Sequence, residues 1–118
     1  MTFPRLEVKE SSIPYAGLGL YTKENIQKGE VVTELCGEFL AMDEAIQRDD
    51  KRYMFHYTKE IMLDSKASQC FGRYVNIARG TQFNNNLQWS VDYRNQRVIL
   101  KATRNIQAGA ELFVSYRY

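Results

Sequence analysis

Residues 73–79 read RYVNIAR and lead into residues 80–86, where the run Asn84-Asn85-Asn86 is typical of an exposed loop. On both sides of this stretch, short apolar runs alternate with turns rich in glycine, asparagine and charged residues. The strands predicted from these runs are Leu6–Lys9, Val31–Leu35, Tyr53–Tyr57, Glu60–Leu63, Leu87–Tyr93, Arg97–Thr103 and Leu112–Tyr116. Many short strands with little helix between them indicate a mainly β fold with short helices.

Helical patterning is confined to two places. Met42–Arg52 is predicted to form a helix because Asp43 and Glu44 would interact favourably with the helix dipole in its first turn. Ser65–Gly72 is predicted to form a second, shorter helix.

One turn motif occurs twice. Residues 25–30 read NIQKGE and residues 105–111 read NIQAGAE, and each precedes a strand-like run. In both copies an isoleucine anchors the turn, and a glycine permits the positive φ that such a turn demands. The two copies are far apart in the chain, so they indicate one turn type used twice and not a tandem repeat.

Size and composition bound the class of protein. The 118 residues suit a single domain, 1–118, and the net charge of +2 is scattered, without the basic cluster that binds nucleic acid. Cys36 and Cys70 have no CxxC or CxC spacing, which argues against a disulfide framework or a metal site and favours a reducing compartment. No apolar run is long enough to span a membrane, and the N-terminus is too polar for a signal peptide. We therefore predict a soluble intracellular protein.

Six segments, in order along the chain, resemble the SET-domain family. They are AGLGLY at 16–21 (its GxGxY/F), 26–38 (its IxxGE and EYxGE), YMF at 53–55, Leu63-Asp64, RYVN at 73–76 (its RFIN) and ELFVSY at 111–116 (its ELTxxY). A single GxG is a weak signal, whereas six segments in family order are specific. The resemblance implies the SET-domain fold, several small sheets around a pseudoknot-like crossing of the last strand region with residues 73–76.

The resemblance also implies an enzyme, a protein-lysine N-methyltransferase that uses S-adenosylmethionine and releases S-adenosylhomocysteine. Such an enzyme needs no metal; it aligns a sulfonium with a neutral amine and excludes water. The catalytic residues implied are Tyr116, whose hydroxyl would orient the amine and stabilise charge, and Tyr53. The cofactor-binding residues implied are Gly17, Leu18, Gly19, Tyr21, Tyr53, Arg73, Asn76, Ile77 and Tyr116. The substrate channel would be lined by Leu35, Phe55, Val114 and Tyr116.

Several of these residues also have purely structural interpretations. Gly17 and Gly19 would let main chain approach the cofactor, and the alternative is a plain β-turn. Asn76 could instead cap a short helix. Tyr53 and Phe55 share one face of a strand, and they could simply be core aromatics.

The chain departs from the family pattern in four ways. Leu35 replaces the tyrosine of EYxGE, Ile77 replaces the histidine of NHS, and Val114 stands where a larger aromatic often limits how many methyl groups fit. Residues 73–79 are closer to the YVNxAR of PR-domain relatives. The cysteine-rich flanks of many members are absent, as in minimal virus-encoded SET proteins that pair as homodimers. We therefore expect a viral-type homodimer, with a domain excised from a larger protein as the alternative.

The resemblance further implies a basic histone tail as substrate, and with it chromatin regulation in the nucleus, or in a host nucleus. Asp43, Glu44, Asp49 and Asp50 would attract such a tail, unless they are only a solvated helix face. No partner nucleic acid or membrane is expected. One rival hypothesis is a catalytically degenerate PR/SET-like interaction module, suggested by Leu35 and Ile77. Another is a β-rich domain unrelated to methylation.

Overall fold

The computed structural model describes residues 5–50, 53–66, 70–78 and 81–115. Within these ranges the chain forms ten strands, one α-helix and one 3-10 helix. The strands are β1 (Leu6–Glu10), β2 (Leu18–Thr22), β3 (Val31–Leu35), β4 (Glu38–Ala41), β5 (Met54–His56), β6 (Ile61–Asp64), β7 (Asn76–Ile77), β8 (Leu87–Asp92), β9 (Arg97–Ala102) and β10 (Phe113–Val114). Helix α1 spans Met42–Ala45, and the 3-10 helix spans Phe71–Tyr74. The mainly β fold predicted from the sequence is confirmed.

The described strands form four small sheets. Antiparallel pairing joins β1 to β2, places β9 between β3 and β8, and places β6 between β4 and β5. The parallel pair β7–β10 sets Asn76 opposite Phe113 and Ile77 opposite Val114. This pairing brings two distant segments together, and it is the crossing that the resemblance implied.

The core is divided between these sheets. The larger cluster draws side chains from β1, β2, β3, β8, β9 and β10, and its most buried members are Leu20, Val32, Leu100 and Leu112. A smaller cluster joins the β4–β6–β5 sheet to β3 and β9 through Leu35, Phe55, Tyr57, Leu63 and Val98. Val98 and Leu100 lie on the same face of β9, because residues two positions apart in a strand point to the same side. Val98 packs in the smaller cluster and Leu100 in the larger one.

The two NIQ turns lie against each other. Ile26 and Ile106 form an antiparallel bridge in which each amide donates to the other's carbonyl at 2.8 Å. Gly29 has φ of 88° and Gly109 has φ of 92°, so both glycines occupy the left-handed region that the motif predicted. The same turn is indeed used twice, and the two copies are direct neighbours in space.

Reciprocal hydrogen bonds hold the two turns together. Asn25 Oδ1 accepts from the Ala108 amide at 2.8 Å, and Asn105 Oδ1 accepts from the Lys28 amide at 2.9 Å. We expect Asn25→Ala and Asn105→Ala each to lower the free energy of unfolding by about 1 kcal/mol. In the double variant the loss should be smaller than the sum, because either change already loosens the shared contact. Urea unfolding of the four proteins measures this coupling, and strictly additive losses would contradict it.

The two helix predictions were wrong in extent. The helix predicted over Met42–Arg52 ends at Ala45, while residues 51–52 lie outside the described ranges. Only one helical turn packs against the rest of the protein, because Ala45 is 3% exposed whereas the next residue, Ile46, is 61% exposed. The polar sequence that follows offers no apolar face to sustain a longer helix.

The second helix begins later than predicted. Ser65 is fully buried and donates its hydroxyl to the Cys36 carbonyl at 2.7 Å instead of starting a helix. The 3-10 helix begins at Phe71, and residues 67–69 lie outside the described ranges.

Cys36 and Cys70 form a disulfide, with their Cα atoms 5.8 Å apart, which corrects the expectation of unpaired cysteines. The two residues are 34 positions apart and carry no recognisable spacing. They meet because the end of β3 packs against the 3-10 helix, where Gly72 lies on the Glu34 carbonyl. The sequence contains no sign of that contact.

Over the described ranges, no helix is long and apolar enough to cross a membrane.

Candidate active site

A cavity of about 430 Å³ opens beside the β7–β10 crossing. Its volume lies in the range of small-molecule sites. Six of the residues predicted as site residues line it: Leu35, Tyr53, Phe55, Arg73, Ile77 and Val114. Tyr53 directly precedes β5, and the others lie on β3, β5, β7, β10 and the 3-10 helix. The tertiary fold therefore assembles the cavity from distant parts of the sequence.

One wall of the cavity is apolar. Leu35 ends β3, Phe55 lies on β5 and Val114 lies on β10, and these side chains are 6%, 5% and 1% exposed. An ammonium group placed against such a wall would lose its hydration without gaining a partner. The wall therefore favours an uncharged aliphatic chain.

Trp89, on β8, completes this wall, and the sequence analysis did not select it. Its ring lies 4.6 Å from that of Phe55, centroid to centroid, and its Nε1 donates to the Ser115 carbonyl at 2.8 Å. The indole packs against both core clusters, the one that contains Leu35 and the one that contains Val114, and lines the cavity with them. It also fixes the backbone at Ser115, which lines the cavity as well. The only available signal was that this is the chain's one tryptophan.

A second wall carries positive charge. The Arg73 guanidinium carbon lies 5.4 Å from the ring centroid of Tyr53 and 4.7 Å from that of Tyr74. Arg73 donates to the Tyr74 hydroxyl at 2.7 Å and to the Lys66 carbonyl. Within the described part of the chain, its Nε is buried and has no hydrogen-bond partner. Because Arg73 lines the cavity, its positive charge suits an anionic group of a ligand.

The glycine segment, residues 17–19, lies next to Asn76, and neither the segment nor Asn76 is among the residues that line the cavity. Gly17 has φ of 79° and open space where a Cβ would stand. The exposed Leu18 accepts from Asn76 Nδ2 through its carbonyl at 3.0 Å. A Cβ on Gly19 would overlap the Glu111 carboxylate. The two glycines are therefore required for different reasons, the first for backbone conformation and the second for internal packing.

Tyr21 lies on β2, paired with β1, and it does not line the cavity. Its side chain is 8% exposed, and its hydroxyl donates to the Glu10 carbonyl at 2.8 Å. Burial raises the pKa of this hydroxyl, and the negative charge of Glu111 adds to the rise, so it stays protonated. Its predicted contact with a cofactor stays a prediction.

The remaining predictions concern Tyr116 and the acidic segment. Tyr116 lies outside the described residues, although Ser115, directly before it, lines the cavity. Oε1 of Glu44 lies 3.8 Å from Nη2 of Arg48, and Oδ2 of Asp50 lies 3.4 Å from Nζ of Lys66. Two of the four carboxylates proposed to attract a basic tail are therefore partly neutralised within the chain.

Comparisons with known proteins agree with this geometry. A family model described as the SET domain matches residues 17–117. Histone-lysine N-methyltransferase EZH2 of Chaetomium thermophilum is 30% identical over 122 residues, which cover 91% of this chain and 8% of that protein. Histone-lysine N-methyltransferase trr of Drosophila melanogaster is 28% identical over 109 residues, covering 86% of this chain and 4% of that protein. The chain thus spans a small part of these relatives.

Solved structures give the same result. Polycomb Repressive Complex 2 of C. thermophilum contains a chain that superposes with a TM-score of 0.84 at 28% identity, covering 96% of this chain and 15% of that one. The same complex bound to S-adenosylmethionine, in an autoinhibited conformation, gives 0.79 at 28% identity and covers 94% and 15%. In complex with H3K27me3 and H3K27M it gives 0.80 at 28% identity and covers 96% and 14%.

Proposed function

The chain belongs to the SET-domain family, and on that premise we propose that it is a protein-lysine N-methyltransferase acting with S-adenosylmethionine. The observation that supports this most is the cavity itself. An apolar wall and a cationic wall meet beside the β7–β10 crossing, and Asn76 on β7 bonds the glycine segment. Methyl transfer requires such a division, because one reactant is a charged cofactor and the other an uncharged amine.

The apolar wall would act on the lysine. Leu35, Phe55 and Val114 disfavour the ammonium form of an entering side chain, since burial lowers the pKa of an amine. The faces of Phe55 and Trp89 would then attract the cationic product as charge develops on the nitrogen. By analogy with the family, the Tyr116 hydroxyl would orient the amine lone pair.

The residues present suit S-adenosylmethionine. When bound, this cofactor supplies an activated methyl group. The Arg73 guanidinium, which lines the cavity, would attract its carboxylate, and the open Gly17 turn would admit it against main chain. Asn76 already joins the turn to β7 through the Leu18 carbonyl, and it would hold the cofactor at that junction.

A direct assay tests the proposed function. Labelled S-adenosylmethionine is incubated with the chain and core histones, and label in protein is counted. We expect incorporation above a heat-inactivated control. Cofactor binding without any transfer would instead favour the interaction module, for which the specific observation is the absence of a channel hydroxyl at Leu35. No calorimetric heat with S-adenosylmethionine would contradict both functions.

We propose a histone tail as the substrate and the nucleus as the location. The relatives' names and the H3K27 complex support this, and the exposed Asp43 and Asp49 remain available to a basic peptide. The viral-type homodimer implied by the resemblance stays a prediction; the solved structures compared above are of Polycomb Repressive Complex 2.

Trp89 is expected to control the fit of the lysine side chain. Trp89→Ala removes the ring next to Phe55 and opens the wall beside Leu35 and Val114, so kcat/KM for a lysine peptide should fall about tenfold. Trp89→Phe keeps a ring but loses the hydrogen bond to the Ser115 carbonyl. Its kcat/KM should lie between those of the unmodified chain and of Trp89→Ala. Steady-state kinetics with one peptide measures both. Equal rates for all three proteins would exclude Trp89 from the channel.

A further inference from the structure

The Glu111 carboxylate is buried behind the glycine segment. Glu111 is 7% exposed, and its backbone forms a bridge with Tyr21 on β2. Its Oε2 accepts from the Ser11 hydroxyl at 2.7 Å, and its Oε1 accepts from the Ser12 amide at 2.8 Å. These two donors stand where β1 ends and the loop to the glycine segment begins. The carboxylate therefore holds the first end of that loop.

The same carboxylate also contacts the other end of the loop. It fills the space on which a Gly19 Cβ would stand, and its Oε2 lies 3.4 Å from Asn76 Nδ2. Asn76 in turn donates to the Leu18 carbonyl. One side chain thus joins both ends of the loop to β7.

These contacts demand a carboxylate. Both oxygens accept hydrogen bonds, from a hydroxyl, a backbone amide and a side-chain amide. In a glutamine the amide nitrogen would face either the Ser12 amide or Asn76 Nδ2, a donor against a donor, although the Ser11 hydroxyl could turn to accept. A buried carboxylate that is satisfied in this way is strongly oriented, because leaving its donors unpaired is costly.

We propose that Glu111 is a positioning residue for the cofactor. It fixes the Gly17 turn against Asn76, and these are two of the elements that would hold S-adenosylmethionine. This inference rests on the proposed function. It assigns to Glu111 an effect on cofactor affinity, and none on the chemical step.

The test is Glu111→Gln, with the Kd for S-adenosylmethionine measured by calorimetry. We expect the Kd to rise about tenfold, while kcat at saturating cofactor stays within about twofold of the unmodified chain. The matched control is Asn86→Ala. Asn86 is about as buried as Glu111 and binds the backbone of residues 111–113. Its Nδ2 donates to the Glu111 carbonyl, and its Oδ1 accepts from the Phe113 amide. It should lower the free energy of unfolding without changing the Kd.

A milder variant keeps the inference testable if Glu111→Gln does not fold. Ser11→Ala removes one donor to the carboxylate, and it should raise the Kd about threefold. A Kd that is unchanged in both variants, or that rises equally in Asn86→Ala, would overturn the role of Glu111. Absence of cofactor binding by the unmodified chain would instead overturn the proposed function.

Discussion

Phenylalanine in place of Tyr116 is expected to lower the rate of methyl transfer at saturating substrates about 100-fold. The change keeps the ring and removes the hydroxyl that, on the proposed function, would orient the amine. Losses of about 10²–10³ are typical when one such group is removed from a reacting centre. The backbone leading to Tyr116 is well held, because Val114 pairs with Ile77 and Trp89 bonds the Ser115 carbonyl. Single-turnover transfer of labelled methyl to a histone peptide measures the effect.

Two controls separate chemistry from folding in this variant. Tyr93→Phe removes a hydroxyl from a 51% exposed tyrosine beyond β8, away from the cavity, and its transfer rate should equal that of the unmodified chain. Urea unfolding should place the Tyr116→Phe variant within about 1 kcal/mol of that chain. Transfer that Tyr116→Phe leaves intact would refute the catalytic assignment, and the amine would then be oriented by another group.

The sequence predicted best the strands that alternate in a two-residue period. Val31–Leu35 was predicted with the bounds that β3 has, and β8 and β9 each end within one residue of their predictions. In these three strands the apolar residues that the sequence pattern assigns to the core are largely those that the structure buries. Three strands, β2, β4 and β7, were missed. Of these, β4 and β7 are short and each pairs with a strand that is distant in the sequence. Periodicity carries no information about such pairing.

The candidate site was predicted through resemblance more than through pattern. Resemblance supplied Leu35, Phe55 and Val114, which the structure brings to one wall. It did not supply Trp89, whose role depends on contact with Phe55 across two sheets. It also gave Glu111 no role, since a glutamate before a strand looks solvent-exposed until the loop from Ser11 covers it.

The glycine of the 3-10 helix provides the second large prediction. Gly72→Ala is expected to lower the free energy of unfolding by about 3 kcal/mol, at the upper end of the cost of overpacking. A Cβ there would stand 2.5 Å from the Glu34 carbonyl oxygen and 3.0 Å from the Leu35 Cα. Both atoms are backbone of β3, which β9 holds in place. Urea unfolding under non-reducing conditions measures the loss.

Neither side of this contact can yield easily. The disulfide from Cys36 to Cys70 ties the end of β3 to the start of the 3-10 helix, so moving one element away from the other strains that link. Gly29→Ala is the comparison, because its Cβ would meet open space and its cost, about 1 kcal/mol, comes from the φ of 88° alone. A Gly72→Ala loss no larger than that of Gly29→Ala would contradict close backbone packing here. Because Leu35 and Arg73 flank this contact and line the cavity, any displacement should also weaken cofactor binding.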